Sequence, residues 1–389
     1  MPNPTILYSS RTLLHWSVEL IGHKLIPAYE DPDRVQRILK ALGAYGFPVE
    51  ECELTDEGAS RILIPSTIHA KPYIEHLKTI FDRFLKAGAV EQNGCILPEC
   101  FPHQALLKTV TTQSLGDLNG TEDAFTSKDA MGEPNLPNDT YAHLGYYSFD
   151  MSTGMSKDTF TSSIASVGVT LKAAATVLEG SSLQSRVVFA LTRPPGHHAC
   201  HALAGGYCYI NNVAVAAEYI LSKMSPQVPS GTRSRVVILD LDFHHGNGTQ
   251  SIFYNRKEPA YVSIHGQGEY PYYTGGLVEC GGGEGTGYNR NFPLPARPNS
   301  TKEDYFTTLD KALDVIRNTW QPEYLLVSMG FDTFRNDVLG GFEIEVGDYE
   351  AIGERLRGLG LPILVLLEGG YHEDLGELAV HFLRGLTGK

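Results

Sequence analysis

Four apolar, β-branched runs, each ending in a cluster of polar residues, constrain this chain more than any other feature. Arg186-Val-Val-Phe-Ala-Leu191 leads into Arg193-Pro-Pro-Gly-His-His198, and Arg235-Val-Val-Ile-Leu-Asp240 into Asp240-Leu-Asp-Phe-His-His245. Tyr324-Leu-Leu-Val-Ser328 leads into Met329-Gly-Phe-Asp332, and Leu361-Pro-Ile-Leu-Val-Leu-Leu367 into Glu368-Gly-Gly-Tyr-His372. Continuous apolar runs of this length read as strands buried on both faces. Further short strands are expected at Thr5–Tyr8 and Tyr261–Ile264. Amphipathic or apolar helices are expected at Pro32–Leu42, Ile74–Ala87, Phe160–Leu178, Asn212–Lys223 and Lys302–Asn318. Strands alternating with helices imply an α/β fold, a mostly parallel sheet covered on both faces. In such sheets functional residues gather at the carboxyl ends of the strands, so the four clusters should meet along one edge.

Composition sets limits on that picture. Hydrophobic residues are 42% and charged residues 20% of 389, ordinary for a globular chain able to form one large core. The formal net charge of −14 argues against nucleic-acid binding and suits a cationic substrate. No apolar run reaches the roughly 18 residues a membrane span requires. The segment Met1-Pro-Asn-Pro-Thr-Ile-Leu-Tyr8 shows no basic region followed by an apolar stretch. Neither a membrane nor a secretory signal is expected. Six cysteines, at 52, 95, 100, 200, 208 and 280, contain no CxxC pair and read as reduced thiols of a cytoplasmic protein. Residues 109–158 are dominated by Thr, Ser, Gly, Asn, Asp and Pro, which predicts a long loop acting as a functional cap rather than a linker.

The polar clusters carry chemistry. Alternation along a strand would put Asp240, Asp242 and His244 on one face. Carboxylates crowded together without a cation repel one another and raise a pKa, so a metal site is the reading favoured over two Asp residues capping the next helix. Asp332, following another apolar strand, is the natural further ligand. An Asp-His-Asp set with an open position suits a hydrolytic Zn²⁺, and its oxygen content would also admit Fe²⁺ or Mn²⁺. The tandem His197-His198 is a poor choice for core packing, because consecutive side chains diverge. Histidine titrates near neutrality and can both take a proton from water and deliver one to a leaving amine. Asp240 is free to orient one imidazole if Asp242 takes the metal. Tyr371, after two glycines, could donate a hydrogen bond to the oxyanion formed on an attacked carbonyl.

As an ordered set, Arg193-Pro-Pro-Gly-His-His-Ala199, Gly206-Tyr-Cys-Tyr-Ile-Asn-Asn212, Asp240-Leu-Asp-Phe-His-His-Gly-Asn-Gly-Thr-Gln250 and Leu367-Glu-Gly-Gly-Tyr371 resemble the arginase–deacetylase superfamily, specifically its zinc deacetylases. The chain looks like the bacterial acetylpolyamine amidohydrolases and the related class II histone deacetylases. The resemblance extends to Glu19-Leu-Ile-Gly-His-Lys-Leu-Ile-Pro27 and Ser263-Ile-His-Gly-Gln-Gly-Glu-Tyr-Pro-Tyr-Tyr-Thr-Gly275, and so covers nearly the whole chain.

That resemblance implies a single arginase–deacetylase domain over residues 1–389, with the loop at about 109–158 as cap and interface of a homodimer. It implies that Asp242, His244 and Asp332 ligate zinc, that His197 pairs with Asp240 and His198 with Asn247, and that Tyr371 polarises the acetyl carbonyl. Gly206, Tyr207 and Tyr270 would line a narrow tunnel, with Glu19 at its mouth. A structural K⁺ would lie beneath the zinc, held by Asp240, Asp242, His244, Ser263 and Ile264. Two positions that are acidic near the tunnel mouth of the polyamine enzymes are Tyr141 and Ser152 here, and the cap loop looks longer. Asn247 stands where class I deacetylases carry Asp, and a neutral partner implies only a modest rise in the pKa of His198. The expected activity is hydrolysis of the N-acetyl amide of a small amine such as an acetylpolyamine, releasing acetate. The alternative is a protein acetyl-lysine deacetylase. An arginase-like two-metal site would need carboxylates that the tandem histidines and Tyr371 do not supply.

Overall fold

The computed structural model describes residues 4–60, 62, 64–102, 139–180, 187–225, 231 and 233–389. Its strands are β1 (Thr5–Tyr8), β2 (Val18–Ile21), β3 (Lys24–Pro27), β4 (Val49–Glu51), β5 (Cys95–Ile96), β6 (Met155–Ser156), β7 (Val187–Ala190), β8 (Val236–Asp240), β9 (Ala260–Gly266), β10 (Asn289–Leu294), β11 (Tyr324–Met329) and β12 (Ile363–Leu367). Eight of them form one sheet in the order β10-β9-β8-β11-β12-β7-β1-β4, and every pairing in it is parallel. Two small antiparallel ribbons, β2-β3 and β5-β6, stand outside it.

Strand alternation divides the core into two layers. Val237, Leu239, Leu325, Val327, Val365, Leu367 and Phe189 pack into one layer, and Val236, Ile238, Leu326, Leu364, Leu366 and Val188 into the other. All of these are 0–1% exposed or nearly so, which is why the runs read as unbroken apolar sequence. Helix Thr159–Glu179 is long and apolar enough to cross a membrane by length and composition, but 61% of its apolar window is buried inside the protein.

The order of the sheet matters for the site. Strands β8, β11, β12 and β7 are consecutive neighbours, and they are the four whose carboxyl ends carry the polar clusters. Late strands β11 and β12 are inserted between β8 and β7, so clusters far apart in sequence become adjacent.

Several expectations change in detail. Helix Asn212–Lys223 is found as expected, whereas the one expected at Ile74–Ala87 spans Lys71–Lys86. The helix expected over Lys302–Asn318 is α-helical only to Asp314 and continues as a π-helix, Val315–Trp320. The stretch 109–158 is not a single loop: helix Thr140–Tyr146 and strand β6 lie within it. Asp139 caps that helix, its carboxylate accepting from the amides of Tyr141 and Ala142, so a residue that signals a loop here starts a helix. The rest of the expected cap, up to residue 138, lies outside the described residues.

Candidate active site

Strand β8 ends at Asp240, one residue before alternation could carry Asp242 and His244 onto its face. A different device aligns them. The Asp240 carboxylate accepts from the amide of Asp242 at 3.2 Å, and the Asp242 carboxylate accepts from the amide of His244 at 2.9 Å. Two successive side-chain turns thus keep every second side chain on one side after the strand has stopped.

Asp332, after β11, closes the group. Ligand-capable atoms of Asp242, His244 and Asp332 all lie within 4.8 Å of one another, and all three residues are buried. His244 Nδ1 sits 3.2 Å from Asp242 Oδ1 and 2.9 Å from Asp332 Oδ2. Burial and the Asp242 charge push Asp332 upward. Burial also opposes ionisation of Asp242, but His197 and His244 hold it below the usual carboxylate range. Two buried carboxylates sharing one imidazole make a donor set suited to a divalent metal, and Asp-His-Asp fits zinc.

His197 and His198 do not diverge. Their ring centroids are 4.0 Å apart and tilted by 44°, and the His198 ring lies 6.1 Å from that of His244. They differ in their partners. His197 Nδ1 lies 3.2 Å from Asp240 Oδ2, and its other nitrogen 3.8 Å from Asp242. Burial would lower its pKa, but the Asp242 and Asp240 charges raise it to about 10. His198 Nδ1 lies 2.7 Å from Asn247 Oδ1. Burial, with the neighbouring His197 and His244, pushes His198 well below its ordinary value. The Asn247 amide contributes in the expected, raising direction, and burial and the two histidines oppose it. The two histidines are pushed in opposite directions by their partners, as an acid–base pair requires.

Tyr371 follows Gly370, whose φ of +114° a side chain would rarely adopt and where a Cβ would stand 2.7 Å from that of Phe331. Its amide donates to Asp337 Oδ2 at 2.6 Å, and the Arg34 guanidinium lies 4.8 Å from its ring centre. Burial raises the phenol well above its ordinary pKa, against the opposing pull of Arg34, so it stays a donor.

The aromatic walls stand over this floor. Tyr270 lies 5.0 Å from His198 and 5.9 Å from His244, and Tyr207 lies 5.8 Å from Tyr371, ring centre to ring centre. Gly206 is required between them, because a Cβ there would come within 2.3 Å of the His198 ring. Tyr207 has φ +65°, a left-handed conformation costing about 1–3 kcal/mol for such a residue. Its hydroxyl is tied down, donating to Glu19 Oε2 at 2.9 Å. Ser263 pairs in register with Asp240, and Ile264 follows it, both fully buried. Tyr141 packs against Phe84 instead, 4.9 Å away. Ser152 donates its amide to Asp150 at 2.9 Å.

Three functional elements were not picked out from sequence. Asp150, in the stretch read as loop, accepts from the hydroxyl of Tyr270 and from the amide of Gly206 at 2.9 Å. Glu368, quoted within a motif but given no role, accepts from the amides of Gly196 and His197 at 2.7 and 3.1 Å and fixes the histidine turn. Arg34, Glu30 and Arg193 form a buried ion cluster, in which Arg34 Nε donates to Gly370 O at 2.6 Å beneath Tyr371. A charged residue inside an otherwise apolar helix face was the available signal for Arg34.

The histone deacetylase domain model matches residues 28–386. The chain belongs to the histone deacetylase family. Within that family it is 34% identical over 387 residues to acetylpolyamine amidohydrolase 2 of Pseudomonas aeruginosa, covering 99% of this chain and 98% of that one. It is 35% identical over 226 residues to histone deacetylase HDA1 of Candida albicans, covering 57% of this chain and 26% of that one. The crystal structure of acetylpolyamine aminohydrolase from Burkholderia pseudomallei superposes with a TM-score of 0.79 at 29% identity, covering 98% of each chain. Family membership makes the chain a hydrolase of acetylated amides.

Proposed function

We propose that this enzyme is a zinc-dependent deacetylase of a small, cationic N-acetylated amine such as an acetylpolyamine. The observation that carries the substrate class is the pair of buried carboxylates, Glu19 and Asp150, which hold Tyr207 and Tyr270, the two tunnel tyrosines. Burial raises the pKa of both, and the Asp150 charge adds to the rise at Glu19, so a cationic chain passing between them would relieve both. The polyamine names of full-length relatives support the same reading.

Asp242, His244 and Asp332 would hold the zinc, which when bound supplies a Lewis acid to the acetyl carbonyl and acidifies water. The rest follows from this chain's own groups. His198, neutral and with Nδ1 turned to Asn247, offers Nε2 as the base that removes a proton from water. Tyr371 donates to the oxygen that gains charge on the acetyl carbon. His197, charged and paired with Asp240, delivers a proton to the departing nitrogen, so that one amide and one water become acetate and an amine.

Ser263 and Ile264 beside Asp240 support a structural K⁺ held with Asp242 and His244. Six free cysteines support a reducing, cytoplasmic setting. A homodimer through the stretch at about 109–158 completes the reading. The test is hydrolysis by the zinc-loaded enzyme of acetylputrescine, longer acetylpolyamines and an acetyl-lysine peptide at equal concentration. Preference for the small amines is expected, and preference for the peptide would replace this reading with a protein deacetylase.

A further inference from the structure

Asparagine differs from aspartate in having a wrong way round. With its Oδ1 toward His198, Asn247 accepts from Nδ1 and leaves Nε2 with a free lone pair. Rotated by half a turn, the same amide would present its NH₂ group. Nδ1 would then have to accept, the proton would move to Nε2, and the ring could no longer take a proton from water. The two orientations have the same shape. What lies on the far side of the amide must therefore choose between them.

That neighbour is Cys200. Asn247 Nδ2 lies 3.8 Å from Cys200 Sγ. The same thiol donates to the main-chain carbonyl of His198, with Sγ 3.7 Å from the oxygen. With its hydrogen committed to that carbonyl, the sulfur presents lone pairs to Asn247 and can only accept. Ser251, one turn further along, donates its hydroxyl to Gly248 O at 2.9 Å and also stands within hydrogen-bonding reach of the sulfur, to which it too can only donate. The ring of contacts is directional: His198 imidazole to Asn247, Asn247 to Cys200, Cys200 to His198 carbonyl.

We infer that Cys200 is a positioning residue for the His198–Asn247 dyad: its sulfur accepts from Asn247 Nδ2 and so holds the amide in the orientation that places the His198 proton on Nδ1. The inference rests on His198 acting as the base.

The experiment is a double-mutant cycle on the zinc-loaded enzyme. Cys200→Ala should lower kcat about 2–10-fold, the range of one modest hydrogen bond, with KM unchanged. Cys200→Ser, whose hydroxyl can also donate and accept, should recover most of that loss. In an Asn247→Asp background Cys200→Ala should have no further effect, because a carboxylate presents an oxygen whichever way it turns. Nitrogen-15 spectra of the His198 ring supply a readout independent of turnover: an Nε2-protonated population should appear in Cys200→Ala and not in Cys200→Ser. Equal losses in both backgrounds, or no loss and no change of tautomer, would overturn the inference. Failure of the underlying reading looks different: His198→Ala would keep its activity while, in enzyme retaining His198, the tautomer still depended on Cys200.

Discussion

The floor of the site and its mouth are built by opposite means. Asp240, Asp242 and Asp332 are fully buried, sit at or just beyond the ends of central strands, and have their carboxylates engaged by backbone amides or imidazoles. The proposed mouth comprises the β2-β3 ribbon, which carries Glu19, and the loop after β9, where Tyr272 and Tyr273 are 64% and 92% exposed. Between the two stand Tyr207 and Tyr270, each anchored to a carboxylate. The contrast teaches where chemistry and selectivity can change separately. Altering a floor residue unpairs a buried charge, whereas altering the mouth changes what is admitted.

Removing the metal should break the comparison most sharply. Dialysis against a chelator is expected to abolish hydrolysis of every acetylated substrate alike, with recovery on adding zinc. Persistent turnover in metal-free protein would show that the Asp242–His244–Asp332 group is not the centre of the floor. His198→Ala should follow, with a fall in kcat of about 10²–10⁴, the usual contribution of a positioned base. Tyr371→Phe should keep its zinc and lose about 10²–10³ in kcat, as for one oxyanion donor, and full activity would remove that role.

At the mouth the effect should be smaller and should move to KM. Glu19→Gln is expected to raise KM for a charged acetylated diamine about ten-fold, the value of a charge-assisted hydrogen bond, and to affect a neutral N-alkylacetamide less. An equal rise for both would mean that Glu19 serves only to hold Tyr207. The smallest change belongs to Asn247→Asp. A carboxylate raises the pKa of His198, and His198 must be neutral to act, so the acid limb of the pH–rate profile should move to higher pH. An unmoved limb would detach Asn247 from the base.

The floor was far more legible in the sequence than the mouth. Runs such as Val236–Leu239 are apolar without interruption because both sheet faces are covered, and their polar termini stand out against that background. The histidine pair, the metal group and Tyr371 were all readable on that ground. Strand β10 was not, because Asn289, Asn291 and Pro293 are poor strand formers; it lies at the edge of the sheet, where a proline breaks no ladder on its open side. Asp150 was missed because its role arises only when Tyr270, 120 residues away, folds against it. Even at the floor, the mechanism that aligns Asp242 and His244 was hidden. It depends on carboxylate-to-amide turns rather than on strand periodicity.

The insertion of β11 and β12 between β8 and β7 has a consequence for how the enzyme comes into being. Strands on both flanks leave the ribosome before the two that join them. Asp332 and Tyr371 follow those two joining strands, so the proposed metal group and oxyanion donor are incomplete until they arrive. A nascent chain therefore presents two half-sheets whose inner edges await partners, and hydrolytic activity begins only after both joining strands have been made.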